Sequence, residues 1–341
     1  MTKIRQNIDK LIEKSNNIVI TSHKSPDDDA ISSLLSIYDY ITNFYPTKKV
    51  SMVVNGTNSN RHNYFNNYSQ INFVTEICDH IKQADLLIFL DGCQYSRFTN
   101  NPQLIEVHTA KKICIDHHPN PPDIFDITLI DINATSTVEI IYKLLFENQK
   151  ISKLLADIIL LGILGDTGTF NYVKPSQTDI FLLAKKLIDI NQTDIQTFKS
   201  NYSKISLESY QTISELIKNT TFHTSSNNPS YQVSFLSKTF VDKHKLSQEN
   251  LSEASHVYMS SFLRNVEGYS WGIVVNPQND NDSSISLRSL PNSVNVRSFM
   301  QKMAIGGGHD RAAGGEIKNS TPQKTIKTLI KWIEENTLDI S

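Results

Sequence analysis

The sequence predicts an α/β protein in which a domain built on a parallel sheet is followed by a smaller α/β domain. In the first half of the chain, short apolar segments alternate with segments of helical periodicity, which is the pattern of parallel βαβ units. Beyond about residue 220 the pattern changes to strands joined by polar turns. The length of 341 residues is also enough for two domains.

The elements of the first domain follow from the spacing of apolar residues. Strands are predicted at 17–21, 49–54, 84–90 and 112–115. Helices are predicted at 3–15, 29–43, 136–147 and 152–164. The Asn-rich segment 55–70 is predicted to be a loop, and helical sequence continues from about 176 to 218. We therefore place the first domain at 1–190 and a helical linker at 191–220.

The second domain is placed at 221–341. A strand is predicted at 231–236, and strands at 271–275 and 284–287 are predicted to form a hairpin around a polar tract. A glycine-rich stretch follows, and the chain ends in a helix near 322–336.

Charge and composition narrow the class of protein. A net charge of −2 gives no overall attraction to nucleic acid, whereas a protein that binds long polymers should show a basic stripe. Cys78, Cys93 and Cys114 are odd in number and far apart, which favours a reducing compartment over a disulfide framework. No signal peptide and no apolar stretch of the ~18 residues that a membrane span needs is present. We expect a soluble, cytoplasmic protein.

Four stretches place carboxylates or histidines directly after an apolar strand or helix. They are residues 23–30 (HKSPDDDA), 90–92 (LDG), 116–120 (DHHPN) and 165–168 (GDTG). In open parallel sheets the ligand site lies at the carboxyl ends of the strands, so these stretches are expected to converge. Buried charges need partners or a metal, which makes a metal site the natural expectation.

Four carboxylates and two imidazoles form the predicted metal set: His23, Asp27, Asp29, Asp91, His117 and Asp166. Oxygen ligands with a minority of histidines fit Mn²⁺ better than the thiolate-rich sites of structural Zn²⁺. Two cations that share a carboxylate, here Asp91, can generate hydroxide and clamp a phosphoryl group during displacement.

The two adjacent histidines are predicted to have different roles. Successive side chains of a strand point to opposite faces, so His117 and His118 should not both bind metal. His118 would then be available to bind the phosphate or to protonate the leaving oxygen. We group His118 and Asp116 as the candidate catalytic residues.

Simpler interpretations compete with this one. A single acidic residue at a strand end is more often a helix cap or turn former, and Asp28 is expected to be only that, in a solvated turn. Six other histidines are expected to be surface or packing residues: His62, His80, His108, His223, His244 and His256. Four such stretches at one predicted sheet edge nevertheless favour the metal site.

The glycine-rich stretch of the second domain is the other strong signal. Residues 306–308 (GGG) let the backbone approach a ligand closely, and a loop of successive N–H groups can bind an anion. His309 adds a donor, and Arg288 adds a planar fork suited to phosphate, with Ser289 beside it. The competing interpretation of the glycines is a flexible turn. Arg97 is a further candidate for phosphate binding or an exposed solubilising residue.

With these residues in view, the sequence resembles the DHH phosphoesterase superfamily, in the subfamily whose second domain is of the DHHA1 type. The resemblance covers HKSPDDDA, the strand end at Asp91, DHHPN and GDTGTF in the first domain. In the second domain it covers LRS and GGGHDRAAGG. The compact length is similar to the nanoRNase/pAp-phosphatase group rather than to the longer RecJ-type exonucleases.

This resemblance implies a role for each matching position. One Mn²⁺ would be held by His23, Asp27 and Asp91, and a second by Asp29, Asp91, His117 and Asp166. Mg²⁺ or another divalent cation is the alternative metal. His118 would contact the scissile phosphate in a cleft between the domains. The substrate's nucleotide and terminal phosphate would be held by Arg288 and Ser289 with Gly306, Gly307, Gly308 and His309.

The implied substrates are oligoribonucleotides of a few nucleotides and the 3′,5′-bisphosphate pAp. Hydrolysis of cyclic di-AMP or of pApA is an alternative within the same enzyme class. Inorganic pyrophosphatase chemistry shares the DHH residues but is disfavoured by the GGGH domain, which resembles that of nucleotide-holding relatives. A nucleotide sensor without turnover is the alternative from a different class, and the complete ligand set argues against it. The oligomeric state is left open, with a homodimer as one option.

Overall fold

The computed structural model describes residues 1–58, 62–119, 121–202 and 204–341. The chain divides into two compact units, Met1–Lys204 and Ile205–Ser341, and each unit has its own six-stranded sheet. Within the described residues, no helix has the length and apolar character required to cross a membrane.

The sheet of the first unit is parallel throughout, as predicted. Its strands are β1 (Asn17–Ser22), β2 (Lys49–Asn55), β3 (Ile71–Val74), β4 (Leu86–Leu90), β5 (Lys111–Asp116) and β6 (Ile127–Ile130). They lie in the order β3-β2-β1-β4-β5-β6, so the order reverses between β1 and β4. The crevice at such a reversal is where open α/β sheets bind ligands. The predictions from sequence did not include β3 and β6, each of which has four residues.

Helices cover the sheet of the first unit. They are α1 (Thr2–Lys14), α2 (Asp28–Phe44), α3 (Cys78–Ile81), α4 (Pro102–Glu106), α5 (Thr137–Ile141), α6 (Lys153–Asp166), α7 (Asp179–Asn191) and α8 (Ile195–Tyr202). Ile18 and Ile20 of β1 belong to one hydrophobic cluster, and Val19 between them belongs to another. Because side chains alternate along a strand, both faces of the sheet are buried, as a parallel sheet requires.

The Asn-rich segment 55–70 is more ordered than the predicted loop. Residues Asn66–Gln70 form a 3₁₀ turn that leads directly into β3, and Phe65 and Tyr68 are buried in the main cluster. Residues 59–61 lie outside the described part of the chain. Aromatic side chains therefore fix the second half of a segment whose composition suggested little structure.

The second unit holds a mixed sheet in the order β11-β12-β10-β9-β8-β7. Its strands are β7 (Thr221–His223), β8 (Tyr231–Phe235), β9 (Trp271–Pro277), β10 (Ser283–Ser289), β11 (Gly306–His309) and β12 (Ala312–Ile317). Its helices are α9 (Leu207–Lys218), α10 (Lys238–His244), α11 (Gln248–Ser261), α12 (Val296–Lys302) and α13 (Pro322–Glu335). β9 and β10 form the predicted antiparallel hairpin, and only the β8–β9 pair of this sheet is parallel among the described residues.

The glycine stretch is a strand, so its prediction as a loop is wrong. β11 is the edge strand of the sheet and pairs antiparallel with β12. A Cβ on Gly306 would lie 2.1 Å from the Gly314 carbonyl oxygen, and one on Gly308 would lie 2.6 Å from that of Ala312. Gly308 also has a φ of +143°. Close packing of two backbones therefore requires these glycines, whereas a Cβ on Gly307 would meet nothing within 4 Å.

Candidate metal centre

Five elements of the first unit converge at the carboxyl edge of its sheet. β1, β4 and β5 lead into His23, Asp91 and His117 respectively. The helix α2 begins beside Asp27 and contains Asp29 in its first turn, and α6 ends at Asp166. All six predicted metal ligands are therefore carried by strand ends or helix ends of the same unit.

His23, Asp27 and Asp91 form the first group of candidate ligands. His23 Nε2 lies 3.2 Å from Asp91 Oδ2 and 3.8 Å from Asp27 Oδ2. His23 Nδ1 donates to the Lys24 carbonyl at 2.9 Å, so in the neutral ring the lone pair of Nε2 faces the carboxylates. Asp27 Oδ1 accepts from Ala30 N, so Asp27 caps α2 while its other oxygen faces the site.

Asp29, His117 and Asp166 form the second group. His117 Nε2 lies 3.1 Å from Asp166 Oδ2. The Asp29 carboxylate accepts from the backbone N–H groups of Thr137 at 2.6 Å and Val138 at 2.9 Å, which are the first residues of α5. The amino end of α5 thus fixes the orientation of a fully buried carboxylate.

Asp91 lies between the two groups. Its Oδ2 faces His23, and its Oδ1 lies 3.7 Å from His117 Nε2 and accepts from Thr137 Oγ1 at 3.2 Å. The residue is only 2% exposed and has a φ of +56°, a conformation that turns the chain sharply after β4. This position is the one that a carboxylate shared by two cations would occupy.

The pKa values of the carboxylates reflect crowding of negative charge. Burial, followed by the charges of Asp166 and Asp91, raises the pKa of Asp29 well above its ordinary value. Burial also raises the pKa of Asp166 to about 6, against the hydrogen bond from His117. For Asp91, burial is outweighed by the hydrogen bond and charge of His23, which lower its pKa.

The imidazoles respond to the same carboxylates in the opposite sense. Burial lowers the pKa of His23, but hydrogen bonds to Asp27 and Asp91 outweigh it and leave the pKa well above the ordinary value. In the same way, Asp166 overcomes burial and raises the pKa of His117 to about 10. Protons therefore balance charge in this cluster, and divalent cations would do so more effectively because the donors are carboxylates and imidazoles within 4.8 Å of one another in each group.

His117 and His118 do not point to opposite faces, so that prediction is wrong. Both follow the last residue of β5, and their rings lie 4.5 Å apart at 78°. His118 Nδ1 lies 3.5 Å from Asp91 Oδ1, on the same side as His117. The rule of alternation does not hold here because the chain leaves the sheet at Asp116.

Asp116 organises this turn. Its Oδ1 accepts from the backbone N–H groups of His117 at 2.7 Å and His118 at 3.1 Å, and from His118 Nδ1 at 2.7 Å. The carboxylate is fully buried. Asp116 is thus a positioning residue that sets the ring orientation of His118. The last residue of the DHHPN motif, Asn120, lies outside the described residues.

Asp28, near the site, differs from its predicted setting. Asp28 is buried, not solvated, and accepts from His62 Nε2 at 2.8 Å. His62 was predicted to be either a surface or a packing residue. It is 4% exposed and is therefore a packing residue. The two residues are 34 positions apart, and sequence spacing gives no sign of their contact. Thr137, which donates to Asp91, was also missed.

Arg97 is the one predicted substrate contact in the first unit. It is exposed, at the end of a 3₁₀ turn Tyr95–Arg97, and its carbonyl accepts from Lys24 N at 2.7 Å. The segment that carries Arg97 thus holds the loop between His23 and Asp27.

The other predicted substrate contacts lie in the second unit. Arg288 of β10 pairs with Ala312 of β12, which pairs with His309 of β11. Arg288 and His309 are therefore in one row of the sheet, on the same face and two strands apart. Ser289 is buried, and its N–H donates to the Arg311 carbonyl at 3.0 Å. Gly306, Gly307 and Gly308 precede His309 along the edge strand.

Family models and relatives agree with this architecture. Residues 17–163 match the N-terminal domain of the DHH family, and residues 228–335 match the DHHA1 domain. The probable bifunctional oligoribonuclease and PAP phosphatase NrnA of Streptococcus mutans is 26% identical over 94% of this chain and 97% of that protein. The bifunctional oligoribonuclease and PAP phosphatase NrnA of Bacillus subtilis is 26% identical over 90% of this chain and 91% of its own length.

A third relative and two solved structures extend the comparison. The cyclic-di-AMP phosphodiesterase PdeA of Listeria monocytogenes is 25% identical over 97% of this chain, which spans about half (49%) of that protein. An exopolyphosphatase-related protein from Bacteroides fragilis has the same fold, with a TM-score of 0.83 at 22% identity over 98% of this chain and 97% of that one. The exonuclease RecJ bound to manganese gives a TM-score of 0.52 at 11% identity over 98% and 93%.

A parallel sheet with carboxylates and histidines at its carboxyl edge, followed by a separate mixed sheet, defines a two-domain hydrolase of phosphoester bonds. The chain belongs to the DHH family and carries a DHHA1 domain, and it is similar to the nanoRNase/pAp-phosphatase members.

Proposed function

We propose that this protein is a Mn²⁺-dependent phosphoesterase that hydrolyses short oligoribonucleotides to mononucleotides and pAp to AMP. The observation that carries the proposal is the complete cluster around Asp91, in which all six predicted ligands and His118 converge. Relatives that match nearly the whole chain and are named as oligoribonuclease and PAP phosphatase support the choice of substrates.

Each part of the cluster has a role in this proposal. His23, Asp27 and Asp91 would hold one cation, and Asp29, Asp91, His117 and Asp166 the other. When bound, such cations activate water and neutralise charge on the phosphoryl group. Mg²⁺ or another divalent cation remains the alternative to Mn²⁺, and the manganese in the structure of RecJ supports a divalent metal here.

His118 would contact the scissile phosphate and give a proton to the leaving oxygen. The Asp116 carboxylate holds Nδ1 of the ring at 2.7 Å and so fixes which side of the imidazole faces the substrate. A ring held in this way needs no rearrangement before it transfers a proton, which favours catalysis.

The DHHA1 domain would hold the remainder of the substrate. β11 is the edge strand of the sheet, so one of its sides has no neighbouring strand among the described residues, and the space at the Cβ position of Gly307 would admit a ligand to its face. Arg288 and His309 share one face of that sheet and suit a terminal phosphate. The anion site would thus consist of the edge strand β11 together with the basic side chains of Arg288 and His309.

Hydrolysis of cyclic di-AMP or pApA is the second candidate, favoured by the relative PdeA, although this chain spans about half of that protein (49%). A sensor without turnover is disfavoured because each ligand position carries a metal-binding side chain. A cytoplasmic location is also proposed, since Cys78, Cys93 and Cys114 are all unpaired and buried.

Turnover with Mn²⁺ should be compared across pAp, short RNA, pApA, cyclic di-AMP and pyrophosphate at equal concentrations. We expect AMP and phosphate to be released from pAp, and mononucleotides from di- to pentanucleotides. Both activities should be lost on chelation and restored by Mn²⁺. Faster turnover of cyclic di-AMP or pApA would favour the second candidate. The absence of turnover on all five compounds, with Mn²⁺ bound, would favour the sensor.

A further inference from the structure

Asp28 lies at the contact between α2 and α6, two helices that carry candidate ligands. It lies in the first turn of α2, between Asp27 and Asp29. On its other side is Gly165 of α6, where an added Cβ would lie 2.6 Å from the Asp28 Cβ. Gly165 immediately precedes Asp166. The Asp28 side chain is therefore one contact between the start of α2 and the end of α6.

A buried histidine holds this side chain in place. His62 Nε2 donates to Asp28 Oδ1 at 2.8 Å, and the side chains are 4% and 10% exposed. The His62 ring packs against Tyr68 at 5.2 Å between centroids. Tyr68 is itself buried in the main hydrophobic cluster, so the donor to Asp28 is anchored in the core.

The same segment touches the loop of candidate ligands at a second point. The carbonyl of Asn55, at the end of β2, accepts from Ser25 N at 2.9 Å. Ser25 lies between His23 and Asp27 and has a φ of +55°. The chain that leaves β2 thus contacts the loop at Ser25 and, seven positions after Asn55, the helix start at Asp28.

Asp28 adds a buried carboxylate beside the four of this cluster, and such a carboxylate needs hydrogen bonds from its surroundings. Asp28 adds to the negative charge of Asp27, Asp29 and Asp166, and an unpaired buried charge is expelled or neutralised. If Asp28 turned away, it would rotate the helix turn that carries Asp27 and Asp29 and would open the contact with Gly165. His62 lowers the cost of burying this charge with a charge-assisted hydrogen bond.

We infer that His62 is a positioning residue of the metal centre, acting through Asp28 to fix Asp27, Asp29 and Asp166. The inference deepens the proposed function and rests on its assignment of these carboxylates as ligands. It also gives the Asn-rich segment 55–70 a role, because this segment positions His62 beside the start of α2. The contact resembles the outer hydrogen bonds that orient ligands in metal sites, whose loss costs about 10- to 100-fold in affinity.

Mn²⁺ affinity measured by calorimetry on the metal-stripped full chain is the test, with thermal melting of the stripped protein as the second readout. His62→Leu should weaken Mn²⁺ binding by about 10- to 100-fold. His62→Gln, which retains an N–H donor, should restore affinity to within about threefold of wild type. The double variant Asp28→Asn with His62→Leu should bind more tightly than His62→Leu, because the carboxylate that loses the His62 hydrogen bond is replaced by a neutral amide. His80→Leu, at an exposed histidine of the same unit, is the matched control.

A merely structural role would lower the melting temperature but leave the affinity unchanged, and that result would overturn the inference. Equal loss of affinity in His62→Leu and in the double variant would also overturn it, since Asp28 would then be irrelevant. If His62→Leu fails to fold, recovery of folding in the double variant supports the pairing, and failure of both refutes it. Because affinity is measured without substrate, a wrong assignment of substrate leaves these outcomes intact.

Discussion

His23 Nε2 lies 3.2 Å from Asp91 Oδ2, and this contact joins the ends of β1 and β4 where the order of the sheet reverses. Connections leave such a pair of strands in opposite directions, which opens a crevice above them. The helix ends that carry Asp29 and Asp166 close around that crevice. The topology thus explains why side chains up to 143 positions apart, His23 and Asp166, belong to one cluster.

The first prediction concerns the shared carboxylate. Asp91→Asn should retain the fold, because asparagine tolerates the positive φ of this position. It should weaken binding of both cations and lower turnover on every substrate by at least about 100-fold, since one oxygen faces each ligand group. Metal analysis after gel filtration and rates with Mn²⁺ measure both effects. Asp79→Asn, at an exposed carboxylate paired with Lys82, should behave as wild type. Near-normal activity of Asp91→Asn would refute the bridging role.

The second prediction separates the two histidines. His117→Ala should lower metal content, because His117 Nε2 faces Asp166 and Asp91. His118→Ala should retain the metal and lose turnover by about 10²–10⁴-fold, as expected for a general acid. Asp116→Asn should follow His118→Ala, since its carboxylate holds that ring. Metal content and turnover are measured on the same samples, and equal loss of metal in the two histidine variants would contradict the assignment.

The third prediction concerns the pH dependence of the metal-free protein. Burial raises the pKa of Asp166 to about 6, so between about pH 4 and 6 this carboxyl group binds more protons in the folded state than in the unfolded state. The contribution of Asp166 to the stability of the stripped protein should therefore fall as the pH rises through this window. The raised pKa of His117, about 10, extends the fall above the ordinary histidine value of about 6.5.

Denaturant titrations of the stripped protein at several pH values test this trend. Asp166→Asn should flatten the fall between pH 4 and 6, because an amide does not titrate. Saturating Mn²⁺ should reverse the trend, since deprotonated ligands bind the metal and binding tightens as the pH rises. The same dependence of stability on pH between 4 and 6 in the stripped wild type and in Asp166→Asn would contradict the prediction.

Some parts of this molecule could be predicted from sequence because their physical cause is local. The candidate ligands Asp91 and His117 directly follow the apolar strands β4 and β5, and the carboxyl ends of parallel strands share one edge. β3 and β6 could not be recognised because four residues are too few to show a period. The pairing of His62 with Asp28 depends on tertiary packing across 34 positions, which no local pattern encodes.

The prediction of a loop at the glycines of β11 was wrong for a different reason. Glycine weakens a strand, so GGG favours a loop when judged by propensity alone. The structure places them in a strand because the backbones of β11 and β12 approach too closely for a Cβ at Gly306 or Gly308. The requirement comes from the partner strand, in which Gly314 and Gly315 face Gly307 and Gly306. Two glycine runs that are adjacent in sequence can therefore indicate a tightly packed strand pair.

The last prediction distinguishes residues that bind the substrate from residues that act in catalysis. The candidate metal ligands all lie in the first unit, whereas Arg288 and His309 lie on one face of the second sheet. Arg288→Ala and His309→Ala should therefore retain Mn²⁺. Each charged contact to a phosphate is worth about 1.5–3 kcal/mol, so each variant should weaken turnover of pAp and short RNA by roughly 10- to 150-fold.

A small ester without a second phosphate tells the two functions apart. Hydrolysis of bis-p-nitrophenyl phosphate should change much less in both variants, because it has no remote phosphate to lose. Lys331→Ala, at an exposed lysine of the same unit, is the control for loss of a positive charge. The comparison is of kcat/KM on the three substrates at equal Mn²⁺. Parallel losses on the generic ester and the nucleotides would mean that Arg288 and His309 belong to the chemical machinery, because only a group acting at the reacting phosphate affects every ester alike.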